Sequence, residues 1–223
     1  MTELQITVDV VTVIFSVDTE AQRLLVLLCM GEPARLPGMP LSHELTLAEQ
    51  AYQVLATKVQ VEHLYLEQLY TFGGPGRDER ESPTRRCLCV AYFALVQYQE
   101  TVLLPGPEPV QWVPFTELPP LAGDHAEIVR YGYQRLRNKL EYSPIAFQVL
   151  PELFTLGELY QLYTTILGED FSDYSNFRAR LLKLGFLQDT GQKVCRGAGR
   201  PASLYRFDRE AFLPYKDKPM VFI

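Results

Sequence analysis

Two stretches decide the fold of the last third of the chain: Ser172-Asp173-Tyr174-Ser175-Asn176-Phe177-Arg178-Ala179-Arg180 and Gly191-Gln192-Lys193-Val194-Cys195-Arg196-Gly197-Ala198-Gly199-Arg200-Pro201. The first opens a helix on polar and basic side chains. The second is a glycine-rich basic loop between two short apolar runs, residues 186–187 and 204–207, which we predict to be the two wing strands. A polar, arginine-bearing helix followed by a basic hairpin is what a winged helix presents to DNA. These stretches therefore predict a DNA-binding winged helix.

The segment before these stretches supplies the first helix of such a domain. Thr155-Leu156-Gly157-Glu158 has the Ser/Thr-x-x-Glu form of a capping box. Apolar residues then recur at 159, 162, 163 and 166, which is helical spacing and predicts an amphipathic helix over 154–167. Gly185 ends the following helix. We predict a winged helix-turn-helix domain over residues 144–223.

The first part of the chain has a different pattern of elements. Runs rich in apolar and β-branched residues predict strands over 5–15, 23–29, 64–72 and 87–98. Helical periodicity predicts helices over 45–59 and 124–140. This alternation indicates an α/β domain with a mixed sheet sandwiched by helices. The Pro-bearing connector near residues 141–144 separates it from the second domain, so we predict domains over 1–143 and 144–223.

The charge of the chain is unevenly distributed. Its 223 residues carry a net charge of −6, which is unusual for a DNA-binding protein. Residues 172–206, however, hold seven Lys or Arg and only two Asp or Glu. This basic segment suits the phosphate backbone. No apolar run approaches the ~20 residues of a membrane span, and no secretory signal is visible at the N-terminus, so we expect a cytoplasmic protein.

The four cysteines are expected to be buried free thiols. Cys87 and Cys89 are two residues apart in a strand-like run and share one of its faces. The chain has no Cys-x-x-Cys pair, and its three histidines lie far from the cysteines in sequence. This pattern favours free thiols over a zinc site or a disulfide.

The residues expected to contact DNA are polar or basic and lie on the second helix or in the wing. They are Ser175, Asn176, Arg178, Arg180, Lys183, Lys193, Arg196 and Arg200. Arg178 is best placed for a base edge or a phosphate, and Asn176 for adenine. The wing cations suit phosphate or minor-groove binding, because nearby glycines let the backbone approach closely. A solvated helix face is the alternative, whereas Phe177 and Leu181 are expected in the core.

A second motif lies near the start of the chain, where Glu44 follows Gly38 by six residues. This resembles the beginning of the Nudix box, Gly-x5-Glu-x7-Arg-Glu-apolar-x-Glu-Glu-x-Gly, whose carboxylates hold a divalent metal against a diphosphate and activate water. The later pairs of the box are replaced by Tyr52-Gln53 and Ala56-Thr57, and its last glycine by Val59. Because one carboxylate cannot form the metal cluster, we predict no catalysis, no metal and no cofactor.

The chain as a whole is similar to the Nudix-related transcriptional regulators of the NrtR family. The segments that carry the resemblance are 150–159, 175–178, 181–185 and 197–207 in the second domain, and 70–73, 77–78, 91–95 and 121–125 in the first. The resemblance implies a homodimeric repressor whose winged helix binds a palindromic operator, often near genes of NAD synthesis. It also implies that the Nudix-like domain binds an effector, ADP-ribose or a related nucleotide, although some relatives respond to sugars.

The expected effector-binding residues are Arg35, Glu44, Arg77 and Asp78. Arg77 and Asp78 follow a glycine-rich loop that is suited to the edge of a diphosphate pocket, and Arg35 precedes the degenerate box. Exposed loop charges are the alternative for these residues, and Asp124-His125 is expected to cap the helix that it begins.

Two other functions compete with that of a regulator. The first is a nucleoside-diphosphate-sugar hydrolase that uses acids outside the box, such as Glu44, Glu49, Glu62 or Glu67. The second is a scaffold without a ligand, whose degenerate pocket only supports dimerisation.

Overall fold

The computed structural model describes residues 4–61, 64–168, 171–195 and 201–215. The chain divides into two compact units, residues 1–16 with 24–135 and residues 17–23 with 136–223. The division lies inside a long helix, a few residues before the connector at which the sequence predicts the boundary. Among the helices of the described residues, none is both long and apolar enough to cross a membrane.

The first unit is built on a mixed six-stranded sheet. Its strands are β1 (Gln5–Asp18), β2 (Arg23–Cys29), β3 (Gly38–Pro40), β5 (Leu64–Phe72), β6 (Arg85–Val96) and β8 (Val110–Pro114), in the order β5-β6-β1-β2-β8, with β3 paired to β1. The central strands β1 and β6 run parallel, with Val10 opposite Val90. A separate two-stranded ribbon pairs β4 (Val59–Gln60) with β7 (Val102–Leu103). The short strands β3, β4, β7 and β8 are not apparent from the sequence.

Two helices cover opposite faces of this sheet. Helix α1 (Leu47–Ala56) packs Ala51 against Val10 and Val90. Helix α2 (His125–Tyr142) brings Gly132 against Phe15. A Cβ at position 132 would lie 3.2 Å from Phe15 Cε2, so a larger residue fits only if the ring moves. Val10 and Phe15 point to opposite faces because successive residues of a strand alternate. The predicted sandwich of a mixed sheet between helices, a Nudix-like fold, is confirmed.

Helix α1 is shorter than the periodicity predicts. Thr46 accepts a hydrogen bond from the backbone of Glu49 at 3.3 Å, and the Glu49 carboxylate accepts one from the Thr46 backbone at 2.8 Å. This capping box fixes the start of the helix at Leu47 and not at residue 45, because it satisfies donors that the first turn leaves free.

The second unit is a winged helix-turn-helix. Helices α3 (Leu156–Leu167) and α4 (Tyr174–Lys183) pack beside a three-stranded sheet of order β10-β11-β9, made by β9 (Phe154–Thr155), β10 (Leu187–Val194) and β11 (Ala202–Phe207). A short helix α5 (Arg209–Phe212) follows. The capping box of Thr155 and Glu158 is present as predicted, with the Thr155 hydroxyl 3.1 Å from the Glu158 backbone nitrogen. Phe154, predicted as the first residue of this helix, lies instead in β9 because the cap comes after it.

The core of the second unit is largely aromatic. Phe177 and Phe186 are fully buried, and Tyr163 is 2% exposed. Phe147 stacks on Phe207 with ring centroids 4.2 Å apart. Gly185 ends the α4 segment with φ +74°, a left-handed conformation that favours glycine and confirms the predicted stop.

The cysteines match the prediction at three of four positions. Cys29, Cys87 and Cys89 are buried free thiols, whereas the expectation that Cys195 is buried is wrong. Cys195 directly follows the end of β10, where the side chain is exposed. No group of three His, Cys, Asp or Glu side chains suited to a metal is found in the described part of the chain.

Candidate functional site

The first unit contains a cavity of about 680 Å³ beside the central strand β1. Its walls are the segment before β3, the loop between β5 and β6, and the first turn of α2. Charged side chains dominate its lining: Asp9, Glu32, Arg35, Arg77, Asp78, Glu79, Arg80, Glu108 and Asp124. The structure thus brings together three of the four predicted effector-binding residues, Arg35, Arg77 and Asp78.

Arg77 is the most deeply placed of the three cavity arginines. Its side chain is 4% exposed, and it donates to the two carboxylate oxygens of Asp124, from Nε at 2.8 Å and from Nη2 at 2.7 Å. Burial is the largest single effect on the pKa of Arg77 and lowers it, but the hydrogen bonds to Asp124 and the nearby negative charges together outweigh burial, so the pKa is raised overall. The sequence predicts that Asp124 caps α2; in the structure its carboxylate accepts the two hydrogen bonds from Arg77.

Gly123 allows the chain to bring Asp124 to Arg77. Its φ is +50°, and a Cβ at this position would lie 2.5 Å from the carbonyl oxygen of Arg77. Any other residue would force the two segments apart, so the glycine and the ion pair depend on each other.

Arg80 forms the second ionic group of the cavity. It donates to Asp78 from Nε at 2.8 Å and from Nη2 at 2.7 Å, and it also donates to Asp9 of β1. The hydrogen bonds from Arg80 lower the pKa of Asp78 to about 2, so that carboxylate is ionised at neutral pH. Asp9 and Arg80 are cavity residues that sequence reasoning missed. The signal for Asp9 was its position as the one acidic residue in the apolar run over residues 5–15.

Arg35 is the most accessible of the cavity cations. Its side chain is 53% exposed and pairs with Glu108, Nη2 to Oε1, at 2.7 Å. Glu44, also predicted to bind the effector, is not among the residues that line the cavity. Its side chain is 76% exposed and lies 3.8 Å from His43.

His125 adds a neutral polar group to the cavity lining. Its Nδ1 accepts a hydrogen bond from the Leu36 backbone N–H at 3.0 Å. Burial lowers the pKa of His125, with Asp124 opposing that effect, so the ring is neutral at pH 7. Beneath the cavity, burial raises the pKa of Cys89 to about 12, which keeps its thiol protonated and a poor nucleophile.

These features suit binding more than chemistry. The three arginine side chains are partners for phosphate oxygens or sugar hydroxyls, because a guanidinium offers five donors in a fixed plane. Each guanidinium is held by a carboxylate, so the site is preorganised before a ligand arrives.

The predicted DNA-binding residues of α4 lie on one exposed surface. Ser175, Arg178, Arg180 and Lys183 are exposed, while Phe177 and Leu181 on the opposite side are buried, as expected. This division follows from helical spacing, because residues three and four apart share a face.

The start of α4 uses some of its polar groups locally. The Asp173 carboxylate caps the helix by accepting from the backbone nitrogens of Ser175 at 2.9 Å and Asn176 at 3.1 Å. The Asn176 amide also donates to Asp173. Asn176 thus keeps its side-chain carbonyl and one N–H for an external partner.

The wing is partly described. Lys193 is exposed and lies within β10, which is longer than predicted, while Gly191 takes φ +72°. Arg196 and Arg200, the other predicted wing contacts, lie outside the described residues. Arg206 of β11, which was not predicted as a site residue, pairs with Glu152 at 3.0 Å.

Comparisons with known proteins agree with both units. Residues 142–223 match the family model of the AraR C-terminal winged HTH domain. The chain is 33% identical over 205 residues to the ADPR responsive transcriptional repressor NtrR of Acinetobacter baylyi, covering 87% of this chain and 79% of that protein.

Solved structures show the same similarity. Shewanella oneidensis NrtR complexed with a 27mer DNA superposes with a TM-score of 0.77 and 32% identity, over 92% of this chain and 94% of that one. The NUDIX domain of the same protein complexed with ADP ribose superposes with a TM-score of 0.50 and 29% identity, over 61% of this chain and 90% of that one.

Proposed function

Because this chain belongs to the NrtR family of Nudix-related transcriptional regulators, we propose that it is a transcriptional repressor whose operator binding responds to a small effector. The winged helix binds double-stranded DNA. The cavity of the Nudix-like domain binds ADP-ribose or a related nucleotide or sugar, and its occupancy lowers the affinity for the operator.

The observation that carries this proposal is the exposed surface of α4. Ser175, Arg178, Arg180 and Lys183 face solvent on a helix whose apolar side is anchored in an aromatic core. A carboxylate on this surface would repel DNA phosphates, and the helix carries none apart from that of the capping residue Asp173. With Lys193 in the adjacent strand, this surface fits a helix in the major groove and a wing on the backbone. Arg196 and Arg200 remain predicted wing contacts.

Support for the effector comes from the cavity. Arg77 and Arg35 lie in its wall, and a solved relative binds ADP ribose with its NUDIX domain. Guanidinium groups held in place by carboxylates bind a diphosphate without first losing side-chain freedom. Glu44 remains a predicted contact, although it lies outside the cavity lining.

We propose that the domain is catalytically inactive. The Arg-Glu pair of the box is replaced on α1 by Tyr52-Gln53, and its Glu-Glu pair is replaced at the end of α1 and at its C-cap by Ala56-Thr57. Gln53 accepts a hydrogen bond from the buried Gln50 at 3.0 Å, and Gln50 in turn accepts one from the Ser42 backbone at 2.9 Å. The neutral amide of Gln53 therefore occupies one of the positions at which the box has a metal-binding carboxylate.

The acids considered for a hydrolase are engaged elsewhere. Glu49 takes part in the capping box of α1, and Glu67 pairs with Arg135 at 2.7 Å. Glu44 is exposed, and Glu62 lies outside the described residues. These positions favour the regulator over an ADP-ribose hydrolase.

Three parts of the proposal rest on family membership: a homodimer, a palindromic operator and control of NAD metabolism. A cytoplasmic location and domains over 1–143 and 144–223 are proposed from the sequence. The matched winged-helix region, 142–223, is compatible with that boundary.

Fluorescence anisotropy on the DNA upstream of the protein's own gene tests the proposal, with ADP-ribose, NAD and pentoses added in turn. We expect specific binding that one of these compounds weakens. Binding that no compound alters would support a scaffold without a ligand, and the absence of specific binding would contradict the repressor. Metal-dependent release of AMP from ADP-ribose would favour the hydrolase.

A further inference from the structure

His125 is held in one orientation by two walls of the cavity. It is the first residue of α2, and its Nδ1 accepts a hydrogen bond from the Leu36 backbone nitrogen at 3.0 Å. Leu36 belongs to the segment that leads into β3 and is 1% exposed. The ring therefore spans two separate segments of the chain, and its rotation would break the partly buried hydrogen bond from the Leu36 backbone.

This hydrogen bond determines which nitrogen carries the proton. A neutral imidazole has one donor and one acceptor nitrogen, and Nδ1 is the acceptor here. Nε2 therefore carries the N–H. Within the described ranges no residue accepts a hydrogen bond from Nε2, although the ring lines the cavity. The N–H is thus available to a ligand.

We propose that His125 binds the effector, with its Nε2–H donating a hydrogen bond to a diphosphate oxygen. The proposal rests on the proposed function, because it assigns a contact within the same cavity. Arg77 and Arg35 line the cavity with His125, and they act electrostatically on the ring. The lining also contains carboxylates, of which Asp124 pairs with Arg77 and Glu108 pairs with Arg35. A neutral N–H donor beside guanidinium groups suits a ligand group rich in acceptors, and a diphosphate is such a group.

Two amide variants of His125, to Asn and to Gln, separate the role of Nδ1 from the role of Nε2. In His125→Asn, the amide oxygen takes the place of Nδ1 and keeps the hydrogen bond from Leu36, but nothing replaces the Nε2 donor. In His125→Gln, the longer amide places an N–H near the position of Nε2 and gives up the bond to Leu36. The pair therefore tests donation to the ligand apart from support of the loop.

Isothermal titration of the full-length protein with ADP-ribose provides the measurement. We expect His125→Asn to weaken binding about tenfold, the upper range for one hydrogen bond, and His125→Gln to weaken it by less than about threefold. Both variants should bind operator DNA as the wild type does in the absence of ligand. His125→Asn with wild-type affinity for ADP-ribose would overturn the proposal.

A measurement on the wild type covers the case in which the variants fail to fold. Long-range ¹H–¹⁵N spectra should show His125 as the Nε2–H tautomer, and ADP-ribose should shift its Nε2 signal. A Nε2 signal that ADP-ribose leaves unchanged, while ADP-ribose binds, would overturn the proposal. If the wild type binds no ADP-ribose at all, it is the proposed effector that fails, so the two failures are distinguishable.

Discussion

The ion pair between Arg77 and Asp124 offers a direct test of how the cavity is held together. Their side chains are 4% and 15% exposed, so Asp124→Ala leaves a buried guanidinium without its main partner. Removing one member of a buried pair costs roughly 3–5 kcal/mol. Asp78 Oδ2 remains 4.0 Å from Arg77 Nη1 as a weaker partner. We therefore expect a loss at the lower end of that range, about 3 kcal/mol of unfolding free energy.

Urea denaturation followed by the fluorescence of Trp112 suits this measurement. Trp112 is the single tryptophan of the chain and lies in the first unit, so its signal follows the unit that contains the ion pair. A loss of about 3 kcal/mol corresponds to a melting temperature lower by roughly 6–12 °C for a chain of this size. Glu117→Ala, which removes an exposed carboxylate from the same unit, serves as the control and should change stability by less than ~0.5 kcal/mol.

The double variant Arg77→Met, Asp124→Ala completes the test. Without the guanidinium there is no unpaired buried charge, so the double variant should be more stable than Asp124→Ala alone by about 1–3 kcal/mol. Two results would refute the reasoning: a loss below ~1 kcal/mol in Asp124→Ala, or a double variant as unstable as the sum of the single changes.

Three further predictions concern DNA contacts and pH. Arg178→Ala should weaken operator binding by roughly 1–3 kcal/mol and relax sequence preference. Arg130→Ala, an exposed control in the first unit, should do neither. If the Arg178→Ala variant binds each operator with the same affinity as the wild type does, Arg178 is not part of the interface. Arg200→Ala should weaken binding to all sequences and lower the slope of log K against log salt by about one, and a wild-type slope would show that this arginine does not contact phosphate. The pKa of His125 is lowered below its usual 6.5 in the folded protein, so as the pH falls the unfolded chain takes up the proton first. The stability contributed by His125 is therefore present above pH 6.5 and is lost as the pH falls through and below that value. Thermal melts from pH 7.5 to 5 should therefore show the wild type losing up to ~1.4 kcal/mol per pH unit relative to His125→Gln, and parallel curves would contradict this. The charges that act on the ring are Asp124, Arg77, Asp78 and Arg35.

The sequence determined the features that depend on neighbouring residues. The capping box at Thr155, the glycine stop at Gly185 and the long strands with their apolar, β-branched runs were predicted correctly. The inward-facing side of α4 was predicted as well, because helical spacing alone places Phe177 and Leu181 on one face. Such signals are local, so they do not require knowledge of the fold.

The same reasoning failed where pairing is decided at a distance. The strand β3 has three residues, and it forms because it meets β1 in antiparallel register, with Met39 opposite Val10. A run of that length has no periodicity to recognise. The end of β10 was placed too early for a related reason, since its extension depends on pairing with β11.

The chain by itself determined that there is a basic winged helix and a Nudix-like domain whose box keeps only one of its acids. Only the tertiary structure decided what lines the cavity. Asp9 and Arg80 are separated by 71 positions yet form an ion pair, and His125 bonds to a backbone group 89 positions away. Side chains so far apart in sequence converge only when the sheet and α2 have packed, because their positions are set by strand order and helix placement and not by any local pattern of residues.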